Sequence, residues 1–131
     1  MIVTRFDPAA SLLFVKATVT GPRAAEELNL VFDTGAAETI IEPGALDRVG
    51  YSAREAESLS SVSSIVGREV GYRIRVSEFE ALGYAFPDFQ VAAHDFPDGF
   101  DIDGLLGTSF LRRFNYEVRS QDGEIRVAPV A

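Results

Sequence analysis

One acidic residue stands where an apolar strand should end. The segment LNLVFDTGAAETIIEP, residues 28–43, is apolar and β-type up to Phe32 and continues with Asp33, Thr34 and Gly35. A carboxylate in a dry environment is unfavourable by several kcal/mol unless it is hydrogen-bonded or protonated. Gly35 allows the backbone to approach the carboxylate closely, so that a tight turn can fix it. These residue types predict that Asp33 takes part in acid–base chemistry.

Composition and charge limit the number of domains and the kinds of partner that this chain can have. The 131 residues are 47% apolar and 11% aromatic, which is enough for one core and one domain, residues 1–131. The net charge of −8 argues against nucleic acid and anionic membranes as partners, because both attract clustered Lys and Arg. The sequence contains no cysteine, which excludes disulfides and thiolate sites. Neither a secretory signal nor a membrane span is visible, so we expect a cytoplasmic protein.

Short β-type segments, separated by turn residues, fill most of the chain. Two helices are expected, one closed by Gly50 and one capped by Thr108 that buries Phe110, Leu111 and Phe114. The predicted strands are 11–19, 28–33, 39–41, 72–82 and 89–94, followed by a C-terminal hairpin that turns at Asp122-Gly123. The pattern indicates a mainly β chain with one or two short helices.

Two segments resemble one family of enzymes. FDTGAAETII, residues 32–41, resembles the active-site loop of retropepsin-like (retroviral-type) aspartic proteases. IDGLLGTSFLRRFNYEV, residues 102–118, is similar to the family segment in which two apolar residues and a glycine, here Leu105, Leu106 and Gly107, lead into a helix that braces the catalytic loop. The resemblance is to a bacterial-type, single-domain member. It implies a retropepsin-like closed barrel with a flap hairpin over the active site.

The resemblance also implies where a substrate would bind. The segment SSVSSIVGREVGYRIRV, residues 60–76, would form the flap hairpin, with Gly67 near its tip. An extended peptide or protein segment would bind between this flap and the floor of the site by adding a strand. The implied substrate-binding residues are Ala36, Ser63, Ser64, Ile65, Val66 and Gly67.

The chemistry of this family requires two aspartates. Two adjacent carboxylates share one proton, so that one acts as a general base on water and the other as a general acid towards the scissile carbonyl. The chain has a single Asp-Thr-Gly triplet, so the second carboxylate must be Asp33 of another copy. The resemblance therefore implies a homodimeric aspartic endopeptidase with catalytic Asp33, Thr34 and Gly35, in which Thr34 links the two loops. It implies neither a metal ion nor an organic cofactor.

The terminal segments are candidates for the dimer contact. MIVTRF at the start and IRVAPV at the end, residues 1–6 and 125–130, are short, apolar and β-prone. Such strands leave unpaired edges that a second copy can cover, and retropepsin-like dimers are held together by terminal strands.

The sequence departs from the family at one position of the active-site loop. Glu38 occupies a position where the family more often has a small or hydroxylated residue, and it is either solvated or adds negative potential near the site.

Two other functional classes remain open on the sequence alone. One is a catalytically inactive module of the same fold that binds a peptide or a protein and dimerises. The other is a structural domain in which the motif matches are accidental.

Several other motifs favour plain structural roles. Leu111 stands where a nucleophile elbow needs its second glycine, which argues against a serine hydrolase. The segment 98–104 lacks the ligands of a calcium loop, and Asp103 is expected to stabilise a turn there. His94, the single histidine, is expected to be a surface or hydrogen-bonded structural residue. The three arginines in segment 68–76 are expected on the wet face of a strand, where residues 77–80 offset their charge.

Overall fold

The protein is described by a computed structural model that covers residues 1–64, 67–97 and 101–130. No helix in these ranges is both long enough and apolar enough to cross a membrane. Strands dominate this part of the chain, as the sequence predicts. In the ranges described, the elements are β1 (Ile2–Arg5), β2 (Phe14–Thr20), β3 (Ala25–Phe32), β4 (Ile40–Ile41), α1 (Pro43–Val49), a 3₁₀ turn (Ala53–Glu55), β5 (Ser58–Ser64), β6 (Gly67–Ala81), β7 (Tyr84–Ala93), β8 (Gly104–Leu106), α2 (Thr108–Leu111), β9 (Phe114–Arg119) and β10 (Glu124–Pro129).

Six strands close into a barrel. The larger sheet has the order β2-β3-β8-β4-β7-β6-β5, and an additional pairing of β2 with β6 joins the two sides. Most neighbours are antiparallel, but β3 pairs with β8 and β4 pairs with β7 in parallel. The mainly β closed barrel expected from the sequence is therefore confirmed, with two short α-helices in the described part of the chain.

The interior of the barrel is filled by aliphatic and aromatic side chains. Phe79, Phe89 and Phe110 are buried, and the ring centroids of Phe79 and Phe110 lie 5.6 Å apart. Such edge-to-face contacts add to the stabilisation from burial alone. Phe110 belongs to α2, so the aromatic cluster fixes this helix against the barrel wall. The expected burial of Phe110, Leu111 and Phe114 is confirmed, although Phe114 begins β9 and does not lie in the helix.

The ends of the two helices show one confirmed expectation and one error. Gly50 ends α1 with φ of 108°, a left-handed conformation that glycine adopts without strain. The N-cap of α2, however, is Gly107, and Thr108 is the first helical residue. Thr108 was therefore wrongly expected as the cap. Its hydroxyl instead donates to the carbonyl oxygen of Ala37 at 3.3 Å, in the loop that follows Asp33.

A second, three-stranded sheet is formed by both ends of the chain. Its order is β1-β10-β9, and Gly123, with φ of 65°, lies in the predicted turn between β9 and β10. β10 is the middle strand, and its Ile125 and Val127 are fully buried. The expectation that both terminal segments leave free edges is thus wrong for residues 125–130. Among the residues that the structure describes, the edge strands of this sheet are β1 and β9.

Candidate active site

Asp33 lies immediately after β3, at the point where the chain leaves the barrel wall. Its backbone N–H donates to the carbonyl oxygen of Leu106 at 3.0 Å, which extends the parallel pairing of β3 with β8 by one residue. The side chain is half-buried, and its Oδ1 accepts a hydrogen bond from the Gly35 N–H at 2.8 Å. A Cβ on residue 35 would lie 3.2 Å from this oxygen. Gly35 therefore allows the close approach that fixes the carboxylate, as the sequence predicts.

The loop from Asp33 to Thr39 wraps around Gly107. A Cβ on residue 107 would lie 2.2 Å from the carbonyl oxygen of Glu38 and 2.7 Å from that of Ala36. The start of α2 then donates backbone hydrogen bonds into the loop, from Thr108 N–H to the Ala36 oxygen at 2.8 Å. The segment around Gly107 therefore braces the Asp33 loop, because only a residue without a side chain allows the two backbones to meet.

Two hydroxyl groups complete this brace. Thr39, which is fully buried, and Ser109 have their oxygens 3.0 Å apart, and the Ser109 oxygen also accepts from the Thr39 N–H at 3.0 Å. The Thr39 hydroxyl oxygen in turn accepts from the Gly107 N–H at 3.3 Å. Buried polar groups are stable only when they are paired in this way. The exit of the Asp33 loop into β4 is therefore as firmly held as its entry.

A cavity of about 330 Å³ opens beside Asp33. Its floor is the Asp33 loop, and its walls are apolar side chains of β4 and β8 together with residues of β5. The lining residues include Asp33, Gly35, Ala36, Ile40, Val62 and Leu105. Ile40, Val62 and Leu105 also line a neighbouring cavity of about 330 Å³ that reaches Phe96 and Pro97. The two cavities together form a cleft with Asp33 near one end and mostly apolar walls.

The hairpin of β5 and β6 covers this cleft, in the place expected for a flap. The two strands pair from Ser58 with Arg73 to Ser64 with Gly67. Of the expected substrate-binding residues, Ala36 lines the cavity beside Asp33. Ser63, Ser64 and Gly67 lie in the strands near the far end of the hairpin, whereas Ile65 and Val66 lie outside the described residues.

The other two residues of the expected catalytic triplet lie at the surface of the single chain. Thr34 and Gly35 are both exposed, in contrast to the half-buried Asp33. The tip of the turn is thus accessible to another molecule, while the carboxylate faces the cavity.

Glu38 is only partly exposed, and its carboxylate is paired with Arg73. Its Oε1 accepts a hydrogen bond from the Arg73 Nε, and its Oε2 accepts from the Ser60 hydroxyl at 2.7 Å. The Ser60 oxygen also lies 2.9 Å from Nε2 of His94. Arg73 and Ser60 belong to the two strands of the hairpin, so Glu38 joins the Asp33 loop to the hairpin. This ion pair also corrects the expectation that Arg73 is offset by residues 77–80.

The environment of Glu38 changes its titration. Burial raises the pKa of Glu38, but the hydrogen bonds from Arg73 and Ser60, together with the charges of Arg73 and His94, outweigh burial and leave the pKa below its usual value. A lowered folded-state pKa means that ionised Glu38 stabilises the fold above its ordinary pKa. This contribution is lost as the pH falls through the lowered value.

Two further residues were assigned structural roles from the sequence. Asp103 accepts a hydrogen bond from the Asn29 N–H at 2.8 Å and so ties the entry to β8 to strand β3, a long-range contact in place of the expected stabilisation of a turn. His94 is buried and hydrogen-bonded, as expected of a structural histidine. The sequence reasoning missed Ser60, Thr39 and Ser109, because a serine or threonine in a strand or helix carries no pattern that marks it as buried.

A comparison with protein-family models identifies the family. The model described as Aspartyl protease matches residues 15–110, which run from the second residue of β2 to the third residue of α2 and include every residue of the Asp33 brace. The chain belongs to this aspartyl protease family. The retropepsin-like resemblance of the two motifs is thereby confirmed. A search among curated protein sequences gave no significant match.

Solved structures of two proteases and of one protease-like domain share this fold, which confirms the retropepsin-like barrel expected from the sequence. A retropepsin-like aspartic protease from Rickettsia conorii superposes with a TM-score of 0.70 at 19% identity, over 95% of this chain and 87% of that chain. The retroviral protease-like domain of Ddi1 from Leishmania major gives a TM-score of 0.57 at 18% identity, over 92% of this chain and 96% of that chain. The protease of Simian Foamy Virus (mac) gives a TM-score of 0.50 at 17% identity, over 76% of this chain and 91% of that chain. At these identities the likeness concerns the fold alone.

The brace around Gly107 leads to a stability prediction for this aspartyl protease fold. Gly107→Ala is expected to destabilise the protein by about 2 kcal/mol or more, because the added methyl group would overlap the Glu38 carbonyl and force the loop away. Gly44→Ala is a matched control, since a Cβ at Gly44 in α1 has its nearest neighbour, an Arg48 nitrogen, at 3.5 Å. Chemical denaturation of both variants measures the difference. Equal stabilities of the two variants would contradict the brace.

Proposed function

We propose that this protein is a homodimeric aspartic endopeptidase in which Asp33 of each chain contributes one carboxylate of the catalytic pair. The observation that carries the proposal is the position of Asp33. Its carboxylate is held by the Gly35 N–H at 2.8 Å and lines a cleft that a hairpin covers. Membership of the aspartyl protease family supports the same reading.

The proposed reaction is the attack of water on a peptide carbonyl. One Asp33 carboxylate takes a proton from the water as the water oxygen bonds to the carbonyl carbon, and the protonated Asp33 of the other chain gives its proton to the carbonyl oxygen. The tetrahedral diol then collapses: its C–N bond breaks as the nitrogen receives the proton of the first carboxyl group, and one diol hydroxyl gives its proton to the second carboxylate. Two peptides leave, and the pair again holds one proton. Gly35 holds the carboxylate in place during these steps.

A second copy is required because one chain supplies one such carboxylate. The exposed Thr34 and Gly35 at the tip of the turn suit a contact across a two-fold axis, where the same surface of both copies meets. In the dimer, Thr34 of each chain would hydrogen-bond to the opposite loop and hold the two turns together.

The cleft favours an extended peptide as the substrate. The cavity is lined both by the Asp33 loop and by Ser61 and Val62 of β5, so a peptide bound in it can pair with backbone groups on the hairpin. The apolar walls formed by Ile40, Val62 and Leu105 suit apolar side chains next to the scissile bond.

A cleavage assay tests the proposal directly. The purified protein is incubated with an unfolded protein or a peptide library, with and without pepstatin, and the products are identified by mass spectrometry. Cleavage that pepstatin blocks is the expected result. Pepstatin binding or peptide binding without cleavage would instead support the inactive peptide-binding module.

The pH dependence of cleavage gives a further prediction. A pair of carboxylates is active when it holds one proton, so we expect a bell-shaped rate profile with its maximum on the acid side of neutrality. The two limbs belong to the pair as a whole. Initial rates from acid to alkaline pH measure the profile, and unfolding curves at each pH separate it from loss of structure. A flat profile would argue for different chemistry or for a contaminating protease.

A further inference from the structure

The flap hairpin has few connections to the rest of the barrel. β6 pairs with β7 from Tyr72 onwards and with β2 from Glu78 onwards. In the described ladders, the part of the hairpin from Gly71 towards its far end pairs only with the opposite strand. A ladder of this kind is anchored at one end, so its angle over the cleft depends on contacts at the root, where it leaves the barrel.

Glu38 makes its contacts at this root. Ser60 lies opposite Gly71, and Arg73 lies opposite Ser58, in the last pairs before the hairpin leaves the barrel. Arg73 holds Glu38 through its Nε, while its Nη1 donates to the Leu59 carbonyl oxygen and, at 3.3 Å, to the Ser58 hydroxyl. One guanidinium group therefore ties the Asp33 loop to both strands of the hairpin.

The second contact of Glu38 is buried and directional. Ser60 is 1% exposed and has one hydroxyl proton, which it donates to Glu38. The bond at 2.9 Å between Ser60 and His94 must then use a proton on His94 Nε2, with the Ser60 oxygen as acceptor. His94 itself packs closely on the hairpin, since a Cβ at Gly71 would lie 2.8 Å from its ring. The end of β7 thus joins the same network.

The position of Glu38 is set by the active site. Its carbonyl oxygen is the backbone atom against which Gly107 packs, and its neighbour Thr39 is held by Ser109. Glu38 also lines the cavity that contains Asp33. The backbone of Glu38 is fixed in the Asp33 loop and its side chain is bonded to the hairpin. The position of the loop therefore influences the position of the hairpin.

We propose that Glu38 is a positioning residue that holds the flap hairpin at its working distance from Asp33, through Arg73 and Ser60. This inference rests on the proposed protease function for its kinetic consequence, but the mechanical link does not depend on catalysis. Substrate binds between hairpin and loop, so a loosened root weakens peptide binding in the ground state and the transition state alike. Such a loss raises KM and leaves kcat nearly unchanged.

The test compares Glu38→Gln with Glu26→Gln. Glu26 forms an ion pair with Arg48, and neither residue is among those that line the two cavities of the cleft. The side chain of Glu26 is 29% exposed, the same fraction as that of Glu38. Both changes replace a charge by an amide of equal shape. For Glu38→Gln we expect KM to rise about fivefold with kcat within about twofold, and amide hydrogen exchange at residues 59–62 and 69–71 to accelerate by a similar factor. Glu26→Gln should change neither.

Two outcomes overturn the proposal. The first is that amide hydrogen exchange in the hairpin is no faster in Glu38→Gln than in Glu26→Gln. The second is that the KM of Glu38→Gln stays within twofold of the value for the unmodified protein. Should Glu38→Gln fail to fold, Arg73→Gln removes the same link and is measured in the same way. A protein that shows faster hairpin exchange in Glu38→Gln but never cleaves a peptide would refute the proposed endopeptidase and leave the link intact.

Discussion

Replacement of Asp33 by asparagine is expected to abolish peptide cleavage, with a fall in kcat of about 10³-fold or more. An amide has nearly the shape of a carboxylate, and its oxygen can still accept the hydrogen bond from Gly35 N–H that holds Asp33 at 2.8 Å. It can neither take a proton from water nor share one with a second carboxylate. In a dimer the change removes both catalytic groups at once.

The fold should survive this change. The Asp33 backbone remains paired with Leu106, and the brace at Gly107 does not involve the carboxylate. Asp122→Asn is a matched control, because Asp122 is an exposed aspartate in the turn between β9 and β10 and pairs with Arg119. Thermal unfolding should show that both variants are folded. Cleavage rates should show that Asp122→Asn is active and Asp33→Asn is not. Undiminished cleavage by folded Asp33→Asn would refute the catalytic assignment.

Local sequence patterns predicted most of the architecture. The alternation of apolar and polar residues in 72–82 predicted β6, and Gly50 marked the end of α1. Such signals are local, because strand periodicity and left-handed glycines depend on neighbouring residues alone. The Asp-Thr-Gly turn and the glycine at 107 were also visible, since close backbone approaches require particular residue types. The structure places these two segments in contact, as the family resemblance implies.

Long-range partners could not be predicted in the same way. Glu38 and Arg73 are 35 positions apart in the chain, and their pairing depends on how the hairpin lies over the loop. A charged residue in a sequence looks the same whether it faces water or another element. β10 shows a similar limit: the apolar pattern of residues 125–130 identified a strand, but its place between β1 and β9 depends on the register of the whole sheet.

The position of β10 changes the expected dimer contact. Of the two free edges of the terminal sheet, β1 lies beside the turn between β6 and β7, where a Cβ at Gly83 would lie 2.8 Å from Ile2. β9 lies beside the active site, because Tyr116 packs on Phe32 with ring centroids 5.3 Å apart and Phe32 precedes Asp33. A two-fold axis that brings two Asp33 side chains together therefore favours the β9 edge.

The side chains of β9 support this choice. Val118 and Tyr116 lie opposite the buried Ile125 and Val127, yet they remain 37% and 39% exposed. These two apolar side chains share a face with buried residues but lie on an edge strand, where they stay exposed. Such side chains are suited to burial by another chain. A second β9 in antiparallel orientation would cover them and make a continuous sheet through both copies.

Disruption of this edge should dissociate the dimer and abolish activity at low protein concentration. Val118→Lys would place one positive charge in each copy beside the two-fold axis, so that a single substitution acts twice and weakens association by several kcal/mol. Val3→Lys is the matched control, because Val3 is a 46% exposed valine on the opposite edge strand, β1.

Sedimentation measures the fraction of dimer, and cleavage assays over a dilution series measure specific activity. For the unmodified protein and Val3→Lys, activity should fall on dilution in step with the dimer, whereas Val118→Lys should be monomeric and inactive. Folded Val118→Lys that sediments as a monomer and cleaves with full specific activity would place both catalytic groups within one chain and refute the shared pair.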